Sequence, residues 1–363
     1  MGTEWFALMV PIILSVTALL LFRHKLVWWE VLLPVVICIG TIAGMKALMV
    51  KYLTNDTEYI SEYITETRYY EDWNEYVHRT CTRTVSCGKN CTRTVTYDCS
   101  YVRYHSEYWE IRTNMGNKYR ISKKYFDYLT KLFGNKAFKD LYRHYYTNDG
   151  DMYKSLWNRE FGTLRPMTFE HTYQNKPQSV NSVFKFRELD SVQKKGLYSY
   201  PDVVDRTQKA CLGCNEEEDL LLRRYNSLWG KRFQVKVYLL VFDGKSIEVA
   251  ERQRSFWKGG NKNELVICMD REGKWAKSFS WCDNKEIEVQ ASLLLMDSAN
   301  DLPTGIIALQ DKIEKHWKRK EFSDFDYIKV PLTNNQHIWL YVTVTLLSIG
   351  MLVYGVLNEI EQY

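Results

Sequence analysis

The sequence lacks the short motifs that mark common catalytic sites. It contains no P-loop, no HExxH pair, no GxGxxG loop and no Ser-His-Asp order. It also lacks a strong charge of either sign, since 49 Lys and Arg residues face 44 Asp and Glu residues, for a net charge of +5. A charge this small and dispersed argues against nucleic acid as a partner. The absence of the four motifs likewise excludes the enzyme classes that they define.

The chain as a whole lacks the composition of a disordered protein, and its start lacks the features of a cleaved signal peptide. No long low-complexity tract is present, and 45% of the residues are hydrophobic, so the composition is not that of a disordered protein. No basic segment precedes the first apolar run, because Met1–Trp5 carries only Glu4, and no small-x-small cleavage site precedes Arg23. The first run therefore differs from a cleaved signal peptide.

Three long apolar runs are present, at residues 5–22, 26–50 and 338–357. Only the second contains charges, Glu30 near its start and Lys46 near its end. With a rise of about 1.5 Å per residue, a helix of about 20 apolar residues crosses a hydrocarbon core of about 30 Å. We predict three membrane-spanning helices, the first two forming a hairpin within residues 1–52. The alternative of buried core helices is disfavoured, because cores seldom contain three such runs.

The second run contains two glycines at helical spacing. Gly40 and Gly44 form a GxxxG pattern, which puts both on one helix face and lets another helix approach closely. We expect this face to pack against the first or the third helix.

The orientation in the membrane follows from the loop charges. Arg23 and Lys25 lie in the short hairpin loop, and the positive-inside rule places that loop in the cytoplasm. Lys46, Lys51 and the basic run 315–320 oppose this orientation, but long translocated domains largely escape the charge rule. We therefore predict a multi-pass cell-membrane protein whose soluble region is extracytoplasmic.

Eight of the nine cysteines lie in the soluble region, and an even number outside the cytoplasm favours disulfides. The segment Cys81–Val85 recurs as Cys91–Val95, and its alternation of β-branched residues predicts a two-stranded hairpin. Cys87 and Cys91 then flank the tip, while Cys81 and Cys99 lie on opposite arms. Tip-with-tip and arm-with-arm pairing is geometrically reasonable, although spacing alone does not fix the connectivity.

Cys211 and Cys214 form a CxxC pair, which is compatible with a disulfide or with zinc. A zinc ribbon needs a second CxxC, and the sequence has none. The acidic residues 215–219 would raise a thiol pKa rather than lower it, which argues against a thioredoxin-type site. We predict a disulfide here, with zinc and free thiols as alternatives.

Two soluble regions follow from the periodicity. Residues 56–200 are rich in alternating Tyr, Thr, Val and charged residues, which predicts a β-rich region with a long strand over 59–85 and the cysteine hairpin. Residues 205–330 alternate between helical and strand patterns, which predicts an α/β layer domain.

The α/β region predicts a definite order of helices and strands. It begins with a helix over Glu216–Trp229 that we expect Gly230 to end, continues with an apolar strand over 233–242 and an amphipathic helix over 246–257, and then reaches a second apolar strand over 264–269. A third strand is expected over 274–281 and a last helix over 303–317, while the type of segment 286–295 stays open.

Residues 217–327 resemble the TPM-domain family. The resemblance lies in the helix 220–230, the strand 233–241, the helix 246–259 and the strand 261–271. It implies an extracytoplasmic domain tethered by a membrane helix, with divalent-metal binding and acid phosphatase activity at acidic positions.

This chain differs from the TPM-domain pattern at two places. Residues 279–284 lack the family's Gly-rich acidic segment, and Glu264 replaces a usual glycine. In the first soluble region, Tyr70–Tyr76 and Tyr97–Tyr101 resemble uncharacterised Tyr-rich proteins of bacteria and their phages, which implies a bacterial or phage origin but no activity.

Asp243 and Asp270 are the candidate metal ligands, because each follows a buried strand of the α/β region. Sites in parallel α/β sheets form beyond the carboxyl ends of strands, and two carboxylates there could hold Ca²⁺ or Mg²⁺ or assist phosphate-ester hydrolysis. The alternative is that both belong to ordinary Asp- and Gly-containing turns.

Two functions remain. The first is a membrane-anchored interaction or scaffold protein whose partners are the lipid bilayer and another membrane or envelope protein. The alternative is a membrane-tethered, metal-dependent phosphatase, and the sequence does not assign an enzyme activity.

Overall fold

A computed structural model describes residues 3–22, 27–88, 91–133, 137–140, 151–157, 160–175 and 186–361. The hairpin loop 23–25, on which the predicted orientation rests, lies outside these residues. The chain divides into two compact units. The first unit comprises Met1–Glu58, His171–Glu188 and Lys320–Tyr363, and the second comprises Tyr59–Glu170 and Leu189–Arg319.

The first unit contains the three apolar helices, Met9–Leu21 (preceded by a 3-10 segment, Thr3–Leu8), Trp28–Leu53 and Asn334–Glu361. All three spans are long and apolar enough to cross a membrane, as the sequence predicted. Small and branched side chains fill the space where the helices meet: Ala7, Cys38, Ile42, Leu340 and Val344. Lys46 of the second helix donates a hydrogen bond to Glu4 at the start of the first, so these two charges satisfy each other.

The glycine face of the second helix is not the face through which these helices meet. Gly40 and Gly44 are both exposed, and a Cβ added to either one would meet nothing within 4 Å. Cys38 and Ile42, on a different face, make the contact expected of the glycines.

The described residues of the first soluble region form ten strands. They are β1 Asn55–Tyr70, β2 Trp73–Val77, β3 Thr80–Gly88, β4 Cys91–Asp98, β5 Tyr101–His105, β6 Tyr108–Thr113, β7 Lys118–Ile121, β8 Ala137–Asp140, β9 Met152–Leu156 and β10 Pro166–Gln174. Six of them form one sheet in the order β7-β6-β1-β9-β8, with β10 also paired to β1. Helix Lys123–Phe133 packs on one face of this sheet, where Ile64, Ile111 and Leu129 are buried.

The single strand expected over residues 59–85 is instead three strands, β1 to β3. The pairing partner changes at each break, from β6 and β9 to β5 and then to β4. Alternation of side chains continues through all three strands, which explains why the sequence pattern does not show the breaks.

The cysteine hairpin forms as predicted, and β3 pairs with β4 around the tip. Cys81 pairs with Cys99 and Cys87 with Cys91 at disulfide distance, with Cα–Cα separations of 5.8 Å and 5.1 Å. The repeated segments lie opposite each other so that Thr84 faces Thr94. Arm-with-arm and tip-with-tip pairing is therefore the arrangement in the structure.

The α/β region has a four-stranded sheet in the order β11 Cys211–Leu212, β12 Lys236–Phe242, β13 Glu264–Asp270 and β14 Ala276–Ser280. The first three strands are parallel and β14 is antiparallel to β13. Four helices of this region flank the sheet, Glu216–Phe233, Glu248–Phe256, Glu286–Asp297 and Leu302–His316, and a short helix Ser191–Lys194 precedes it.

Strand β12 is buried on both faces, which explains its continuous apolar sequence. Val237 and Leu239 pack with Leu222 in one cluster, whereas Leu240 and Phe242 pack with Val249 in another. Alternate residues of one strand thus serve two helix layers, and the predicted α/β layering is confirmed at this level.

Gly230 does not end its helix, contrary to our expectation. The helix continues to Phe233, and Gln234 provides the left-handed cap with φ 51°. A Cβ at Gly230 would lie 2.1 Å from the carbonyl oxygen of Ser61 on β1. The glycine therefore allows this helix to approach the backbone of β1, and a side chain of any size would separate them.

We predict that Gly230→Ala destabilises the second unit by about 1–3 kcal/mol, because the methyl group meets backbone atoms that cannot rotate away. The matched control is Gly162→Ala, where an added Cβ meets nothing within 4 Å. Thermal melting of the full chain in detergent measures both changes. Equal melting temperatures for the two variants would contradict the role assigned to Gly230.

Candidate functional site

The carboxylates predicted to bind metal lie at neighbouring strand ends but make different contacts. Asp270, at the end of β13, is only 3% exposed. Its Oδ2 atom accepts hydrogen bonds from the backbone N–H groups of Glu272 at 3.1 Å and Lys274 at 3.5 Å. Its carbonyl oxygen accepts from Gly273 at 3.0 Å. Asp270 therefore organises the turn between β13 and β14.

Asp243, which follows β12, has a side chain that is 81% exposed. Its Oδ1 atom lies 3.5 Å from Nε of Arg271, and the same guanidinium donates to the carbonyl oxygen of Gly213. Arg271 thus supplies the positive charge that a metal ion would otherwise supply at this edge.

The metal-binding hypotheses require a cluster of ligands, and the part of the chain that the structure describes contains none. No group of three or more His, Cys, Asp or Glu side chains there is placed to hold a metal ion. Cys211 and Cys214, the zinc alternative, lie at disulfide distance with a Cα–Cα separation of 5.6 Å.

We predict that Asp270→Ala lowers stability by about 1 kcal/mol or more, because it leaves turn N–H groups without their acceptor. Asp243→Ala should change it by less than about 0.5 kcal/mol, since exposed ion pairs contribute little. Melting curves with millimolar Ca²⁺, Mg²⁺ or EDTA complete the test. Similar losses in both variants, together with a melting temperature raised by either cation, would point instead to a shared ion.

A buried polar cluster lies at the opposite ends of the same strands. Lys236 on β12 is 1% exposed and pairs in register with Glu264 on β13. The Lys236 ammonium donates to Gln208 and, at 3.2 Å, to Oγ1 of Thr168. Glu264 accepts from Tyr200 and from the backbone of Asn261 at 2.9 Å.

Burial dominates the titration of this pair. Desolvation lowers the pKa of the Lys236 ammonium to about 7 and raises the pKa of the Glu264 carboxyl. In the unfolded chain Lys236 keeps its proton up to about 10.5. Between these values the unfolded chain binds more protons than the folded chain, so stability gained from Lys236 increases as the pH rises.

We predict that the melting temperature of the wild-type chain rises between pH 7 and pH 9 relative to that of Lys236→Met, which cannot titrate. Lys209→Met, a change at an exposed lysine nearby, is the control and should keep the wild-type slope. The measurement is a series of melting curves across this pH range. Parallel curves for wild type and Lys236→Met would show that Lys236 does not lose its proton on folding.

A concave surface lies on the second face of the six-stranded sheet, opposite the face that helix Lys123–Phe133 covers. It is a cleft of about 840 Å³ between the second face and the start of the β2–β5 ribbon. Its lining includes the cations Arg68, Arg112, Lys118 and Arg120, the carboxylates Glu71 and Glu107, and the rings of Tyr70, Trp73, Tyr104 and Tyr108.

Strand registry explains why these side chains share one face. Arg112 is opposite Lys118 and Glu110 is opposite Arg120 in the β6–β7 pair, while Tyr70 is opposite Tyr108 in the β1–β6 pair. Directly opposed residues point to the same side of a sheet. Charged residues two positions apart on β1, β6 and β7 therefore lie together on one face of the sheet.

The central charges of the cleft are neutralised internally. Arg68 contacts Glu66 at 2.6 Å, and Nε of Arg112 lies 3.0 Å from Glu110 and 3.3 Å from Glu66. These pairs are partly buried, and they hold the guanidinium groups in place rather than leaving them for a ligand.

The charges at one end of the cleft have no such partner. Lys118 and Arg120 are exposed on β7 and have no carboxylate partner among the residues that the structure describes. The Arg120 guanidinium lies 4.5 Å from the centroid of the Tyr108 ring, which in turn stacks on Tyr70 at 4.3 Å. Two cations are therefore available beside an aromatic surface.

The other end of the cleft is formed by aromatic rings and acceptors. Trp73 stacks on His105 at 4.2 Å, and Tyr104 is 62% exposed. Glu107 accepts from the hydroxyl of Tyr69 at 2.7 Å, and Glu71 accepts from the backbone of Asp151 at 3.3 Å. Each carboxylate keeps a further capacity to accept hydrogen bonds.

Comparison with protein-family models, with curated proteins and with solved structures finds no match to this chain. Its function has to be inferred from its own contacts and charges. The cleft was not predicted from the sequence. A charged face of the strands was nevertheless indicated by charged residues spaced two apart, namely Glu66 and Arg68, Glu110 and Arg112, and Lys118 and Arg120.

Proposed function

We propose that the chain is a membrane-anchored binding protein whose second unit lies outside the cytoplasm and takes an acidic saccharide into the 840 Å³ cleft. The single observation behind this proposal is the exposed pair Lys118 and Arg120 beside the Tyr70–Tyr108 stack. The three apolar helices supply the membrane anchor.

The cation pair favours a ligand with a localised negative charge. The guanidinium and the ammonium, which form no ion pair within the described residues, repel each other, and an anion offsets that repulsion. Arg120 can donate two parallel hydrogen bonds to a carboxylate or a phosphate, whereas Lys118 acts as a point charge.

The remaining lining favours a sugar over a polyanion. Glu71 and Glu107 would repel a second phosphate, but they can accept hydrogen bonds from hydroxyl groups. The exposed ring of Tyr104 offers an apolar surface against which a sugar ring can pack. One acidic group, several hydroxyls and a ring therefore describe the ligand that this cleft complements.

The α/β layer is proposed to be a TPM-like domain that supports the cleft. The order of its helices and strands is the order on which the resemblance rests. The contacts of Asp243 with Arg271 and of Asp270 with its own turn give no support to the phosphatase alternative. We propose a binding module with the lipid bilayer and an acidic envelope saccharide as its partners.

Calorimetric titration of the full chain in detergent tests this function. D-galacturonate and glucose 1-phosphate, each with one acidic group, are the acidic probes, and D-galactose is the neutral one. We predict that at least one acidic probe binds and that Arg120→Gln weakens it at least tenfold, because a hydrogen bond to a charged group contributes about 1.5–3 kcal/mol. Arg79→Gln, an exposed arginine outside the cleft, is the matched control.

Two results would contradict the proposal. If wild type and Arg120→Gln bound the acidic probes with equal affinity, Arg120 would not be part of the binding site. Binding of D-galactose as tight as that of D-galacturonate, or no binding of any of the three probes, would show that the ligand is not an acidic saccharide.

A further inference from the structure

A second, smaller cavity lies on the other side of the same sheet. It has a volume of about 370 Å³ and lies between the start of helix Lys123–Phe133, Arg165 and the turn 204–207. Ligand pockets in proteins run from about 300 to 1,000 Å³, so this one suits a small molecule. The cleft proposed above shares none of its lining.

The turn that borders this cavity has an unusual backbone. Val204 and Thr207 bond to each other through both backbone N–H groups at 2.8 Å. The two residues between them, Asp205 and Arg206, have φ of 46° and 59°. Glycine, asparagine and aspartate are the usual residues at such positions, whereas a longer side chain such as that of Arg206 costs about 1 kcal/mol or more there.

Arg206 has contacts that explain its place in the turn. Its guanidinium lies 5.2 Å from the centroid of Tyr119 and 5.7 Å from that of Phe169, and it donates to the carbonyl oxygen of Arg120 at 3.3 Å. Its own carbonyl oxygen accepts from Thr168 at 2.8 Å. Arg206 therefore anchors the turn to the sheet.

Asp205 has no comparable structural contact. Its side chain is exposed and lines the cavity, and its carboxylate has no ion-pair or hydrogen-bond partner within the described ranges. The Asp205 carboxylate is therefore available to a group that enters the cavity.

The opposite charge lies in the same cavity. Arg165 donates to the hydroxyl of Tyr128 at 2.6 Å and covers its ring at 5.5 Å, while Lys124 lines the cavity without a carboxylate partner in the described structure. Burial raises the pKa of the Tyr125 phenol, and the charges of Arg165 and Asp205 both act on it. The carboxylate and the guanidinium therefore face a common space.

We propose that this cavity binds a free amino acid as its zwitterion. Asp205 pairs with the α-ammonium group, Arg165 and Lys124 pair with the α-carboxylate, and the rings of Tyr125 and Tyr128 contact the side chain. A charge of each sign at one small site beside aromatic rings matches a molecule that carries both charges on one carbon.

Matched ligands test this assignment on the full chain in detergent. L-phenylalanine carries both charges, 3-phenylpropionate lacks the ammonium group and phenethylamine lacks the carboxylate. We expect L-phenylalanine to bind at least tenfold more tightly than either analogue in a calorimetric titration.

Substitution of Asp205 separates binding from folding. Glycine adopts the left-handed conformation of Asp205 without steric cost, so the melting temperature of Asp205→Gly without ligand should stay the same or rise. The same change should weaken L-phenylalanine at least tenfold while leaving 3-phenylpropionate, which has no ammonium group, unaffected. Asp202→Asn, three residues away and outside the cavity, is the control and should bind like wild type.

Three outcomes would overturn the proposal: no binding of L-phenylalanine, equal affinity for all three ligands, or wild-type affinity in Asp205→Gly. None of them bears on the cleft, because Arg120→Gln and the saccharide probes report on a separate set of residues.

Discussion

The close backbone contact between Gly230 and Ser61 is the constraint on which the second unit depends. It brings the helix Glu216–Phe233 against β1, so that strand supports both the charged sheet face and the α/β layer. Polar contacts then form around this approach, from Asn263 to the carbonyl oxygen of Tyr59 at 2.8 Å and from Lys236 to Thr168. Because these contacts are buried, the two parts of the unit are held at a fixed distance and orientation.

Both candidate sites lie where local preferences are not satisfied. At the cleft, Lys118 and Arg120 lie at neighbouring positions of one strand face, and neither forms an ion pair with a carboxylate in the described ranges. At the small cavity, the exposed Asp205 carboxylate has no ion-pair or hydrogen-bond partner among the residues that the structure describes. The paired charges of Arg68 and Arg112 show that the same sheet can satisfy its ions internally. The contrast between paired and unpaired charges, rather than charge itself, marks the binding surfaces.

Patterns within one segment were predictable, whereas contacts between distant segments were not. The three apolar helices, the buried strands β12 and β13 and the cysteine hairpin follow from composition and periodicity. Gly230 was misinterpreted because its partner, Ser61, is remote in sequence. Strand β11 was missed because it has two residues, and its place is set by Asp219 accepting from the backbone of Ala210 and Cys211. The cleft needed strand registry, which alternation alone does not determine.

The ribbon formed by β3 and β4 has a consequence for the behaviour of the protein in solution. Its repeated sequence puts Thr82 opposite Thr96, Thr84 opposite Thr94 and Ser86 opposite Thr92, so one face carries only hydroxyl side chains over this stretch. A two-stranded ribbon buries too little apolar surface to be stable alone, and here two covalent cross-links hold it. Since hydroxyl groups remain hydrated and give little drive for sheets to stack, the ribbon can extend into solvent without becoming a nucleus for aggregation.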